Sequence, residues 1–283
     1  MSRWWGVWPV FAMYVALLCI VLSITRAADR AVAERYASFS TTVIVSEVAF
    51  SILVLGLLLG TNAFVPNRLR LTAGRQTWHQ LFVMLVGSLA AERVVRSLIN
   101  IGSQGGDPPS PRMSFAAADL MRLNSLWEIP LVVSIVLVMA FVVTAEEIFF
   151  RGYMQGRLRE RLGPAWAVAI TSTCFGLGHS VSLEGAGAVV GGVYYGYVTE
   201  LSGSIRPAIL CHLVYNVFWK VLWRVAPHLV VFGSAGELAT TVINKLLTSM
   251  DIGGVSTNVV WLAVGGTVLA GCIVWLRQTL PRT

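Results

Sequence analysis

Charge is scarce in this chain. Only 12% of its 283 residues are charged, while 56% are hydrophobic. A soluble domain of this length carries about a quarter charged residues, so the composition excludes an ordinary soluble domain and points to a bilayer. Lysine is almost missing: among 21 basic residues only Lys220 and Lys245 are not arginine. The basic residues behind the net charge of +7 are scattered over short loops, without interleaved aromatics on a polar surface. That distribution excludes a nucleic-acid groove and matches the positive charge that flanks membrane helices. There is no polar linker of any length, no internal repeat and no low-complexity tract, so residues 1–283 read as one integral membrane domain. The four cysteines, Cys19, Cys174, Cys211 and Cys272, form no CxxC pair. They read as isolated packing residues.

What the sequence does have is apolar runs. A spanning helix needs about 20 mostly apolar residues, and eight stretches qualify, near 6–24, 42–65, 78–101, 127–150, 165–183, 185–201, 205–225 and 259–276. The expected fold is therefore all-α, a polytopic membrane bundle of about eight transmembrane helices. The first run is longer than a signal-peptide core and reads as an uncleaved span. The third is interrupted by Glu92, Arg93 and Arg96, and the stretch 102–125 is a Gly- and Pro-rich loop. After the fourth run, GYMQGRLRERLG carries the helix beyond the membrane to Gly163-Pro164. Residues 228–258 read as a polar, amphipathic region. The densest basic cluster, Arg151, Arg157, Arg159 and Arg161, places the N-terminus in the cytoplasm if that cluster is cytoplasmic.

Ionisable groups inside a membrane are costly and by default mark function. Five places stand out: Glu47; Glu92/Arg93/Arg96; Glu146-Glu147-x-x-x-Arg151; His179; and His212-x-x-x-Asn216. Glu147 and Arg151, four apart on a helix, can pair across one turn. Glu146 points about 100° away and is open to another task, that of general base. Taken alone, both glutamates read equally well as snorkelling charges at a helix end. Gly176 and Gly178 before His179 allow close approach of a backbone or a substrate. His179 is expected deep in the fifth span, where a lone histidine is more often a hydrogen-bonded core residue than a catalyst. His212 and Asn216 share one helix face and can donate two hydrogen bonds to one oxygen, or serve as a helix–helix polar contact. A carboxylate, two imidazoles and an amide on three spans, all turned inward, make a constellation for hydrolysis. Glu47 is a candidate partner for Arg93 or Arg96.

EExxxR, FxxxH and HxxxN, in this order and on separate helices, resemble the three motifs of the CAAX prenyl protease and bacteriocin-processing (CPBP, Abi) family of glutamic-type intramembrane endopeptidases. The resemblance covers roughly Thr144 to Phe218 and includes EEIFFRGYMQGRL, FGLGHS and HLVYN. It implies an intramembrane peptidase cleaving a membrane-anchored protein or peptide, by C-terminal processing or peptide maturation. Glu146 would activate water, supported by Glu147 paired with Arg151. His179 would orient the water, His212 and Asn216 would stabilise the oxyanion, and Phe175 would pack under the site. The catalytic helices then fall at 127–226, between motif-free helices at 1–126 and the last segment, 227–283. No cofactor is expected. The alternative is a zinc site of Glu146, His179 and His212, although no HExxH is present. Alternatives of another class are a non-catalytic immunity or scaffold protein and a transporter. The short loops and arginine bias look bacterial, so the expected location is the inner membrane, with membrane lipids and a membrane-anchored substrate as partners and no nucleic acid.

Overall fold

The computed structural model describes residues 7–33, 39–60, 63–102, 129–179, 183–217 and 257–280. These residues form eight continuous helical runs and no strand. They are α1 (Trp8–Ala33), α2 (Phe39–Gly60), α3 (Trp78–Gly102), α4 (129–162), α5 (Pro164–His179), α6 (Leu183–Ser202), α7 (Arg206–Val217) and α8 (Thr257–Thr279). The expected all-α class is observed, with helix ends within a few residues of those expected for most runs. The expected loop near 102–125 and the amphipathic region at 228–258 lie almost wholly outside the described residues.

Eight helices are not eight demonstrated crossings. Among the described residues, Asn258–Thr279 of α8 is the one helix long and apolar enough to span a bilayer by itself. Trp8–Ser23 and Glu47–Gly60 are apolar but shorter. The described parts of α5 and α7 comprise 16 and 12 residues.

Local chemistry explains the boundaries. Thr77 and Gln80 form a reciprocal capping box at the start of α3: the Gln80 N–H donates to Thr77 Oγ1 (3.4 Å) and the Thr77 N–H to Gln80 Oε1 (2.8 Å). Gly163, with φ +85°, ends α4, and Pro164 opens α5, where its missing N–H costs nothing. Gly203, with φ +70°, ends α6, and Ser204 Oγ accepts the Arg206 N–H at 3.2 Å to cap α7. Segment 63–77 is strapped across that turn. The Ile205 N–H donates to the Arg70 carbonyl (3.0 Å), Ser204 Oγ to the Thr72 carbonyl (2.7 Å) and Arg206 Nε to the Leu71 carbonyl (2.7 Å).

Two buried clusters divide the bundle. One joins α1, α2, the second half of α4 and α5 around Phe149, Phe150 and Phe175; the other joins α3, α6, α7 and α8 around Met84, Tyr195 and Leu276. The charges of α3 serve this packing. Arg96 hydrogen-bonds Glu92 one turn earlier, and Arg93 lies 4.6 Å over the Trp261 ring of α8. Glu47 is exposed on α2, so the expected pairing with Arg93 or Arg96 is replaced by these contacts.

Candidate active site

α4 does not run evenly through the motif. It is α-helical over Ile129–Glu147, π-helical over Ile148–Met154 and α-helical again over Gln155–Leu162. π-turns concentrate at functional sites, and this one begins directly after the two glutamates. Gly152 allows the turn to lie against segment 63–77: a Cβ built there would sit 3.0 Å from the Leu69 carbonyl oxygen.

The two carboxylates differ as expected. Glu147 is wholly buried and its Oε1 lies 3.2 Å from Arg151 Nη1, itself wholly buried. Glu146 remains 14% exposed. Arg151 donates from Nη2 to the Gly192 carbonyl of α6 (3.2 Å) and lies over the rings of Phe175 (4.5 Å) and Tyr195 (5.6 Å). A cation removed from water needs such partners. Position 192 is tightly packed: a Cβ there would come within 3.1 Å of Arg151 Nη2, which would have to give way.

His212 occupies the seam between the two clusters. Its ring stacks on Tyr195 (4.8 Å, 18°) and meets Phe175 edge-on (5.6 Å, 85°). Its Nδ1 is 2.9 Å from Glu147 Oε1, and its Nε2 is 3.9 Å from Glu146 Oε2. Because a carboxylate only accepts, Nδ1 carries the proton. Nε2 is left facing Glu146 across a gap too long for a direct hydrogen bond. Glu146 is therefore not unpartnered, as the helical wheel alone implied; it faces the imidazole that Glu147 holds.

Asn216 follows one turn later on α7, 6% exposed, and its Oδ1 is buried without a hydrogen bond. His179 departs from expectation. It does not lie deep in a span but is the last residue of α5 and is exposed. Its Nδ1–H donates to the Phe175 carbonyl (2.9 Å), and its ring lies 4.4 Å from that of Phe175. Phe175, buried, thus touches both His179 and His212. Two residues escaped sequence reasoning, Tyr195 and Gly192. Both lie in the apolar string GGVYYGYV of α6, which bears no motif; a tyrosine pair inside a small-residue stripe was the available signal. Among the described residues no three His, Cys, Asp or Glu side chains group as a metal-holding set. Glu146, His179 and His212 do not gather as the zinc alternative requires.

Residues 128–218, which contain every one of these side chains, match the family model described as type II CAAX prenyl endopeptidase Rce1-like. This segment is similar to the Rce1-like family. No curated protein and no solved structure matches the chain. Rce1-like proteins are membrane-embedded, CAAX-type endopeptidases, and α8 is consistent with membrane residence. The Rce1-like segment spans α4 to α7, so the family match and the clustered polar residues coincide, while α1–α3 and α8 lie outside it.

Proposed function

We propose that the chain is an intramembrane endopeptidase that hydrolyses a peptide bond of a membrane-anchored protein or peptide, using water activated by Glu146. The observation that carries this reading is His212 held between two carboxylates, bonded to Glu147 through Nδ1 and facing Glu146 through Nε2. Glu146 takes a proton from water, and the water oxygen attacks the carbonyl carbon. Since Nδ1–H is already spent on Glu147, His212 donates to the oxyanion as an imidazolium, through Nε2–H. Before the proton moves, the four charges, Glu146, Glu147, Arg151 and His212, sum to zero, which suits a dry site. The Asn216 amide gives the second hydrogen bond to the oxyanion. Glu146 returns its proton to the leaving amine as the C–N bond breaks. His179, at the exposed end of α5, orients water where the site opens. The chemistry needs no cofactor. A cytoplasmic position for the cluster Arg157, Arg159 and Arg161 supports a cytoplasmic N-terminus in a bacterial inner membrane.

The test is cleavage of a membrane-anchored reporter peptide by the purified protein, with Glu146→Gln and His179→Ala beside the parent. Glu146→Gln is expected to lower kcat about 10²- to 10⁴-fold at unchanged protein level, and His179→Ala to reduce cleavage as well. No cleavage by the parent would leave a non-catalytic membrane scaffold as the correct reading, and full cleavage by both variants would remove Glu146 and His179 from the mechanism.

A further inference from the structure

α6 has two working faces. Gly192 and Tyr195 address the active site, through Arg151 and His212. Val190, Val193, Tyr194 and Tyr197, at i, i+3, i+4 and i+7, form the other stripe, and it is one wall of a cavity of about 370 Å³. Val168 of α5 and Leu269 and Ile273 of α8 complete its apolar walls. The helix itself separates this groove from the catalytic residues. Its volume lies in the range of small-molecule pockets, about 300–1,000 Å³, and leaves no room for another helix about 10 Å across.

One end of the groove is charged. Glu200 and Arg277 stand there. The Glu200 carboxylate is already matched, by Arg70 Nη1 (2.9 Å) and Arg159 Nε (2.8 Å). Arg277 has no carboxylate partner among the described residues; its Nε donates to the Tyr197 hydroxyl at 3.0 Å, and its side chain is exposed. Of the two charged residues that line the groove, Glu200 is thus neutralised by arginines outside it, and Arg277 supplies the positive charge. Arg277 also lies in the last turn of α8, the helix long and apolar enough to span a bilayer. A basic residue at the end of such a helix stands at headgroup level. The walls below it lie at the depth of the acyl chains.

We propose that this groove is a binding site for one anionic phospholipid, with an acyl chain between α5, α6 and α8 and the phosphodiester on Arg277 and the Tyr197 hydroxyl. The lipid closes the seam between α5 and α8 behind the catalytic helix, and it does not depend on the peptidase reading.

The test uses the full chain, purified and delipidated in detergent, with palmitoyl-oleoyl phosphatidylglycerol or phosphatidylcholine added, read by native mass spectrometry and thermal unfolding. The expected result is one retained phosphatidylglycerol and a higher melting temperature, with phosphatidylcholine held more weakly. Arg277→Gln is expected to cut the preference for phosphatidylglycerol about fivefold, the worth of one basic residue near an anionic headgroup, about 1 kcal/mol. Ile273→Trp, which fills the groove, is expected to remove lipid retention while Arg277→Gln, on the exposed rim, keeps the fold. Equal retention of both lipids, an unchanged preference in Arg277→Gln, or equal stabilisation by inorganic phosphate alone would each overturn the proposal.

Discussion

Arg151 and Glu147 are a wholly buried ion pair, and such a pair behaves asymmetrically under mutation. Removing one partner leaves an uncompensated charge and costs about 3–5 kcal/mol, whereas removing both is far better tolerated. Arg151→Met and Glu147→Gln alone are therefore expected to lower the unfolding temperature in detergent, and the double variant to recover part of it. Tyr195 acts on the same group from the other side. Its ring stacks on His212, and an aromatic pair contributes about 0.5–1.5 kcal/mol beyond its buried area. Tyr195→Leu is expected to lower kcat about two- to tenfold with KM unchanged, and Tyr195→Phe to keep the parent value. A loss confined to protein yield would mean that Tyr195 only fills space.

At the scale of elements, α5 and α6 meet closely because glycine stands at the contact. A Cβ on Gly176 would come within 2.6 Å of the Gly185 carbonyl oxygen and collide with the Val189 side chain. At Gly178 the nearest atom would be Tyr14 Oη at 3.8 Å, an ordinary contact. Gly176→Val is expected to push the helices apart, shift neighbouring Phe175 and cost both thermal stability and cleavage. Gly178→Ala is expected to be neutral or slightly stabilising, since alanine favours a helix over glycine. The two measurements together separate close packing from a general need for flexibility near His179. The π-turn after Glu147 belongs to this scale too. It changes the register of α4 between the carboxylates and the arginine-rich extension, where Gln155 and Arg159 reach Glu200 of α6.

For the whole molecule, the arginine-rich end of α4 is held to α6 and to segment 63–77 by one acidic residue, Glu200, through Arg159, Gln155 and Arg70. This knot sits at the same end as Arg277, in keeping with one basic face of the bundle. A cytoplasmic position for that face predicts that Arg157→Cys, at an exposed site, reacts with an impermeant maleimide in inverted membrane vesicles and not in intact cells. The reverse pattern would invert the proposed topology.

Local patterns decided much of this protein. Apolar run length, Gly and Pro punctuation and capping residues set helix positions to within a few residues for most runs, because those signals act over one or two turns. The three polar motifs, and with them the Rce1-like segment, were legible for the same reason: a charge or imidazole in an apolar run has few places to go but inward. Burial by distant helices settled the rest. Which carboxylate is sealed, which nitrogen of His212 is spent and where His179 ends depend on packing between α4, α5, α6 and α7, which no local spacing encodes. Tyr195 and the groove beside Arg277 are clearer cases still, since their partners stand up to about a hundred residues away, and only the folded bundle brings an unremarkable apolar helix against the active site on one face and a lipid-sized groove on the other.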